Sequence, residues 1–137
     1  MSNLINLLDT YKGEKRELYP LTPSQMGVYL SCMHNPKGTM YNIPCTYVFD
    51  SGSLDTDRLI NAVRKAVDNH PVMKIFIDNS TGSPMMKLRD SVDFDIPVVQ
   101  VDNLEQAGKD FVKPFDLEKD ILFRFAVFEC GDKSMFA

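Results

Sequence analysis

Leu21-Thr22-Pro23-Ser24-Gln25-Met26-Gly27-Val28-Tyr29-Leu30 specifies a helix start residue by residue. Thr22 is a good N-cap, and Pro23 falls at the first helical position, where its fixed φ helps and its missing N–H costs nothing. Gln25 stands three residues after the cap, so Thr-x-x-Gln makes a capping box whose side chain reaches back to the cap amide. Leu21 and Met26 flank the box at the spacing of a hydrophobic staple. The helix should run from Pro23 to Met33, because His34-Asn35-Pro36-Lys37-Gly38 breaks any continuation. Upstream, Asn3 to Leu8 is an apolar turn or short helix, followed by solvated linker residues Lys12 to Glu17; residues 1–17 are read as linker, with folded structure beginning near Leu18.

Downstream, strand and helix patterns alternate. Tyr41 to Asp50 reads as a strand with Ile43, Cys45, Tyr47 and Phe49 on one face, and Pro44 marks an edge or an irregular beginning. Thr56 to Asn69 reads as a helix capped by Asp55, with Leu59, Ala62, Val63, Ala66 and Val67 at helical spacing and Pro71 ending it. Val72 to Asp78 alternates as a half-buried strand, and Met85 to Arg89 returns as its hairpin partner across Asn79 to Pro84. Phe94 to Val101 is a strand made an edge by Pro97; Leu104 to Val112 is a third helix. Leu122 to Glu129 is apolar on both faces and belongs mid-sheet, and Lys133 to Ala137 starts another strand after Gly131-Asp132. The pattern predicts an α/β chain, an α+β two-layer sandwich with a mixed sheet and about three helices. A chain that stops inside an incipient buried strand is expected to be a fragment of a larger domain.

The composition narrows the function classes. The chain has 137 residues, 44% hydrophobic and 25% charged, which is globular composition for one domain or part of one. A net charge of −4, with Lys and Arg scattered among acids, argues against nucleic acid. No apolar run approaches ~20 residues, so no membrane span is expected, and Met1 to Asp9 lacks the parts of a signal peptide. Cys32, Cys45 and Cys130 are odd in number and far apart, as are His34 and His70. Reduced thiols packed as small hydrophobes, a cytoplasmic setting and no metal site are the expectation. Asp90, Asp93 and Asp95 lack a nearby His and are read as solvated surface. Ser24 and Ser134 lack a nucleophile-elbow context.

Four strings, in order and at compatible spacing from Leu18 to Ala137, carry a more specific message: Leu21-Thr22-Pro23-Ser24-Gln25 with Tyr29-Leu30, Tyr41-Asn42-Ile43-Pro44, Asp68-Asn69-His70-Pro71-Val72-Met73-Lys74, and Pro114-Phe115-Asp116-Leu117 with Leu122-Phe123-Arg124. Together they resemble the condensation domains of nonribosomal peptide synthetases. The resemblance implies the N-terminal lobe, residues 18–137, of a two-lobed fold related to chloramphenicol acetyltransferase. The family's chemistry joins substrates held as thioesters on the phosphopantetheine arms of carrier domains. An acceptor amine attacks the donor carbonyl, an amide forms and a thiol leaves. Phosphopantetheine on partner carriers is thus the implied cofactor, with none bound directly; the implied partners are carrier (thiolation) domains and a C-terminal lobe.

The family's His-His-x-x-x-Asp-Gly motif, whose second His is the proposed base, does not occur here; the resemblance places it just after the strand containing Met135. No catalytic residue is therefore assigned, and the chain alone is expected to be inactive. The second motif, usually Arg-His-Glu-x-Leu-Arg-Thr-x-Phe, is altered: Asn69 replaces Arg, Pro71 replaces Glu, and Lys74 replaces the second Arg, keeping charge without the bidentate fork. His70 and Lys74 are the active-site-adjacent candidates on this resemblance. Read from the residues alone, His70 caps a helix end and Lys74 is a solvated side chain on the outer face of a strand. Thr22, Pro23 and Gln25 are read as a structural cap. Other functions consistent with the sequence are a non-catalytic carrier-docking or interaction module, and an acyltransferase relative with a free acceptor. An isolated lobe should expose apolar surface and self-associate.

Overall fold

A computed structural model describes residues 18–50 and 52–137; the linker reading of residues 1–17 lies outside the described residues. The chain forms β1 (Leu18–Pro20), α1 (Pro23–His34), β2 (Tyr47–Asp50) and α2 (Thr56–Asn69), then a 3-10 turn (Pro71–Lys74), β3 (Ile75–Asp78) and β4 (Met85–Leu88). β5 (Val98–Gln100), α3 (Leu104–Phe111), β6 (Val127–Cys130) and β7 (Lys133–Phe136) follow. Among the described residues this is a mixed α/β architecture with three helices and two sheets.

The capping box closes as its spacing requires. Thr22 Oγ1 accepts the Gln25 N–H at 3.3 Å, and Gln25 Oε1 accepts the Thr22 N–H at 2.9 Å. The helix extends to His34, where the Asn35 N–H reaches back to Ser31 O and Pro36 prevents another turn. α2 is bounded as predicted, with Asp55 accepting the Arg58 N–H at 2.9 Å. Its inward row is narrower than the five residues expected. Leu59, Val63 and Val67 lie inward at i, i+4, i+8, and Val67 is 1% exposed, whereas Ala62 and Ala66 face solvent.

The segment after α2 does not extend at Val72. Pro71 starts a single 3-10 turn, with the Met73 N–H donating to His70 O, and the strand begins only at Ile75. Lys74 therefore sits on a turn, not on a strand's outer face. β3 and β4 form the predicted hairpin, with Ile77 opposite Met86, and Gly82 takes φ +79° in the connection, a conformation a side chain would strain. β1 adds to β4 to complete a three-stranded antiparallel sheet in the order β1-β4-β3.

The second sheet has the order β2-β7-β6-β5, antiparallel except for the parallel β5–β6 pair. All three long apolar runs shorten here. Phe94 to Val101 contributes only β5, an edge strand; Pro97 has no N–H to donate, and its carbonyl accepts from Val127 N at 2.9 Å. Leu122 to Glu129 enters the sheet only at Ala126, which exchanges both main-chain bonds with Ala137. From there β6 is central and buried, Val127 being 0% exposed. Tyr41 to Asp50 pairs only from Tyr47, and β2 is the opposite edge. Of its expected buried face, Phe49 alone is half-buried, while Ile43, Cys45 and Tyr47 are exposed. α3, capped by Asn103, lays Leu104, Ala107 and Phe111 against Ala126, Phe128, Met135 and Ala137, and the Phe111 and Phe128 rings meet edge to face at 5.7 Å.

Residues 113–120 form a strap that touches both sheets and α1. The Ile77 N–H of β3 donates to Leu117 O at 3.3 Å, and Arg89 Nη2 donates to Lys119 O at 3.2 Å. Tyr29 Oη donates to Glu118 Oε1 at 2.6 Å, and Asn79 Nδ2 reaches the same oxygen at 3.4 Å. Toward the other sheet, Arg124 Nη1 and Nη2 donate to Lys113 O (3.0 Å) and Pro114 O (3.3 Å), and Asn42 Nδ2 donates to Lys113 O at 2.8 Å. Within the strap, Asp116 carries a salt bridge to Lys119 at 3.0 Å and accepts the Glu118 N–H. Lys119 above all holds the Asp116 carboxyl below the usual carboxylate range.

Two stability predictions follow from this packing. Met135→Ala removes a buried side chain from the α3 interface and is expected to cost about 2–5 kcal/mol, read as a lower urea midpoint. The second concerns Tyr29, whose hydroxyl pKa is pushed up to about 12, first by its bond to Glu118 and then by burial. The folded state holds that proton more tightly than the unfolded chain. The contribution is complete below pH ~10 and is lost as pH rises toward about 12. Tyr29→Phe should cost about 1.5–3 kcal/mol at neutral pH and flatten the pH 10 to 12 limb of a stability profile; an unchanged limb would refute the assignment.

Candidate functional site

A cavity of about 510 Å³ opens between the C-terminal half of α1, the loop leading into β2, the strap and the approach to β6. Each wall has a local cause. α1 presents Val28 and Cys32 because its cap sets where the helix begins, hence which way each side chain points. The loop brings Tyr41 to Cys45 to the cavity, held by the Asn42 bond to Lys113 O and a weaker one of 3.5 Å from Tyr41 Oη to Ser31 Oγ. The strap supplies Phe115 and Leu117, and the segment before β6 supplies Leu122 to Phe125. Phe136 and Ala137, at the end of β7, complete the lining, with Phe136 stacked on Phe125 at 5.8 Å and 10° between planes.

The lining is chemically simple. Among the described residues it contains no carboxylate, imidazole or lysine, and Arg124 is its one side chain that is always charged. Arg124 is already engaged: its fork spans two successive carbonyls and its guanidinium carbon lies 4.1 Å from the Phe115 ring centroid. Such a wall can bind, orient and exclude water, but has no ordinary general acid or base. A second cavity of about 430 Å³ shares Phe111, Phe115, Phe123, Arg124 and Phe125 with the first.

The residues singled out from sequence distribute unevenly around this cavity. Thr22, Pro23 and Gln25 are exposed at the start of α1, outside the lining; Gln25 Nε2 also approaches Met86 Sδ at 3.6 Å, tying α1 to β4. His70 is exposed at the end of α2, its Nδ1 lying 2.6 Å from Ala66 O, a geometry that places the ring proton on Nδ1. Lys74 Nζ donates to Asp68 O and Asp90 O, each at 3.4 Å, so it bridges α2 to the segment after β4. Neither His70 nor Lys74 lines the cavity, whereas Met73 between them does. Asp90, Asp93 and Asp95 are exposed, and no group of three or more His, Cys, Asp or Glu among the described residues could hold a metal ion. The cysteine expectation needs correcting: Cys45 is exposed, because its loop lies outside the ladder, and only Cys32 and Cys130 are partly buried. No described helix is long and apolar enough to cross a membrane.

The residues sequence reasoning missed are Asn42 and Arg124 as donors to one carbonyl, together with the Tyr29–Glu118 pair. A signal did exist. Asn42, Phe115 and Arg124 all lie inside the second and fourth of the strings that carried the family resemblance, and the structure brings those two to one cavity.

Comparisons with known proteins place the chain in a family. The family model for the condensation domain matches residues 15–137. Bacitracin synthase 3 of Bacillus licheniformis is 32% identical over 124 residues, which are 89% of this chain and 2% of that protein. Surfactin synthase subunit 1 of Bacillus subtilis (strain 168) is 33% identical over 119 residues, 84% of this chain and 3% of that protein. The chain thus spans a few per cent of the length of these relatives. Among solved structures, the starter condensation domain of rhizomide synthetase RzmA superposes with a TM-score of 0.75 at 18% identity, covering 88% of this chain and 31% of that one. A four-domain nonribosomal peptide synthetase, holo-AB3403 bound to AMP and glycine, gives 0.76 at 15% identity over 93% of this chain and 11% of that one. With the family model matching from residue 15 onward, and the two-sheet fold shared with solved condensation domains, the chain belongs to the condensation-domain family of nonribosomal peptide synthetases.

Proposed function

We propose that residues 18–137 are the N-terminal lobe of a condensation domain that forms an amide bond between carrier-delivered thioesters. In this reading the cavity of about 510 Å³ holds the apolar part of a substrate. The observation that carries it is the composition of the walls: largely apolar and aromatic, with Asn35 and Asn42 among them, and with the one always-charged side chain among the described residues bonded to main-chain carbonyls. A mutant of the starter condensation domain of RzmA has been solved in complex with C8-CoA, an occupant of the same general chemistry.

In the reaction, the neutral acceptor amine adds to the donor thioester carbonyl. The C–N bond forms, the C–S bond breaks, and the phosphopantetheine thiol of the donor's carrier leaves. An ammonium has no lone pair, so a base must take a proton from the amine. The described walls offer no carboxylate, imidazole or lysine for this, and their part is to position the acyl group and keep water from the thioester. The proposed base belongs to the His-His-x-x-x-Asp-Gly motif that the family resemblance places directly after β7, whose Phe136 and Ala137 line the cavity. Met73 reaches the cavity wall, and we assign to Lys74 and His70 the holding of that turn. Carrier domains and a C-terminal lobe are the partners, the setting is cytoplasmic, and the isolated lobe self-associates through Met40, Ile43 and Tyr47, which are exposed.

A single-turnover assay with loaded donor and acceptor carriers tests the division of labour. The 137-residue chain should give no amide, and a chain extended through the motif and the second lobe should give it. Amide formation by the 137 residues alone would refute the reading.

A further inference from the structure

The two cavities share five lining residues, Phe111, Phe115, Phe123, Arg124 and Phe125, and of these Arg124 alone makes side-chain hydrogen bonds. Phe115 and Arg124 both line the cavity of about 510 Å³ and the one of about 430 Å³ behind it. The Arg124 guanidinium lies 4.1 Å over the Phe115 ring, while its two terminal nitrogens bond Lys113 O and Pro114 O on the residues immediately before Phe115. A planar cation stacked on a ring and forked onto two carbonyls has one orientation, so the pair is rigid. Two of its donors are bound to the strap and its guanidinium carbon lies over an aromatic ring, so its side chain is fixed as part of the wall. On either side the surroundings are aromatic: Phe125 stacks on Phe136, and Phe123 meets Phe94 edge to face at 5.0 Å.

We propose that Arg124, stacked on Phe115, is the partition that ends the first cavity and sets the length of apolar chain it admits. Arg124 is a specificity-determining residue that acts by its position and volume. The inference rests on the reading of the cavity as a site for the apolar part of a substrate. An unbranched saturated chain is the class of ligand it discriminates, because each added methylene gains from these walls until the tip meets the guanidinium-on-ring stack. Removing the Arg124 side chain takes away the stacked face and the two bonds that hold Phe115, joining the space beyond, toward Phe94 and Asp95, to the first cavity.

The test uses the neutral N-acetylcysteamine thioesters from butanoyl to dodecanoyl, titrated calorimetrically into the 137-residue chain. Affinity should rise about fourfold per added methylene and stop rising at a break length. Arg124→Ala should move the break several carbons longer, and Arg124→Lys, which keeps the stem's volume, should leave it within a carbon of the parent. A flat series in the parent chain overturns the substrate-cavity reading, and the partition with it. A break that Arg124→Ala leaves in place overturns the partition alone. Hydrogen exchange on the parent chain decides the matter independently of any variant's folding. The dodecanoyl probe should slow exchange at Asn42, Ile43 and Cys45, which line only the first cavity, and not at Phe94 and Asp95, which line only the second. Slowed exchange at Phe94 and Asp95 in the parent overturns the proposal.

Discussion

Two sheets that have no strand in common meet across the strap of residues 113–120, and this contact is the constraint on which the rest depends. The strap runs without regular structure, so its carbonyls need partners from elsewhere. They find them in both directions: Ile77 and Arg89 from the three-stranded sheet, Arg124 from the approach to β6, Asn42 from the loop after α1. Lys113 O accepts two of these donors and so uses both of its lone pairs. Tyr29 adds a bond to the Glu118 carboxyl from the centre of α1.

The cavity is a consequence of that arrangement. The strap stands off from α1 far enough to leave space, and what fills its edges is Phe, Leu, Ile and Met. Because Arg124 is committed to the strap, the enclosure presents almost no free polar group. The described residues thus give the cavity its shape and its largely apolar walls.

How much of this was legible varied with the range of the interaction. The α1 start, the bounds of α2 and the β3–β4 hairpin each depend on residues within one or two turns of one another. Capping, staple spacing and Gly82 in the connection therefore sufficed to read them. The strands at Tyr41–Asp50, Phe94–Val101 and Leu122–Glu129 were each read too long. Alternation shows that a segment has a face to bury, but not where its partner's ladder stops. Pro97 marks the limit in one case, where its missing N–H breaks the ladder. Cys45 and Ile43 look like core in the sequence and prove to be exposed edge and cavity wall, since burial depends on what lies opposite.

The local hydrogen-bonding chemistry of single residues determined the helices, their caps and the tight turns, because those bonds close within four residues whatever the remainder of the chain does. The site was decided only by tertiary structure. Tyr29 and Glu118 are 89 residues apart, and Asn42 and Lys113 are 71 apart. No periodicity links such pairs. They meet because burying one sheet against α3 and ordering the other beside α1 leaves the strap a single path between them, and the carbonyls along that path must be satisfied where they fall.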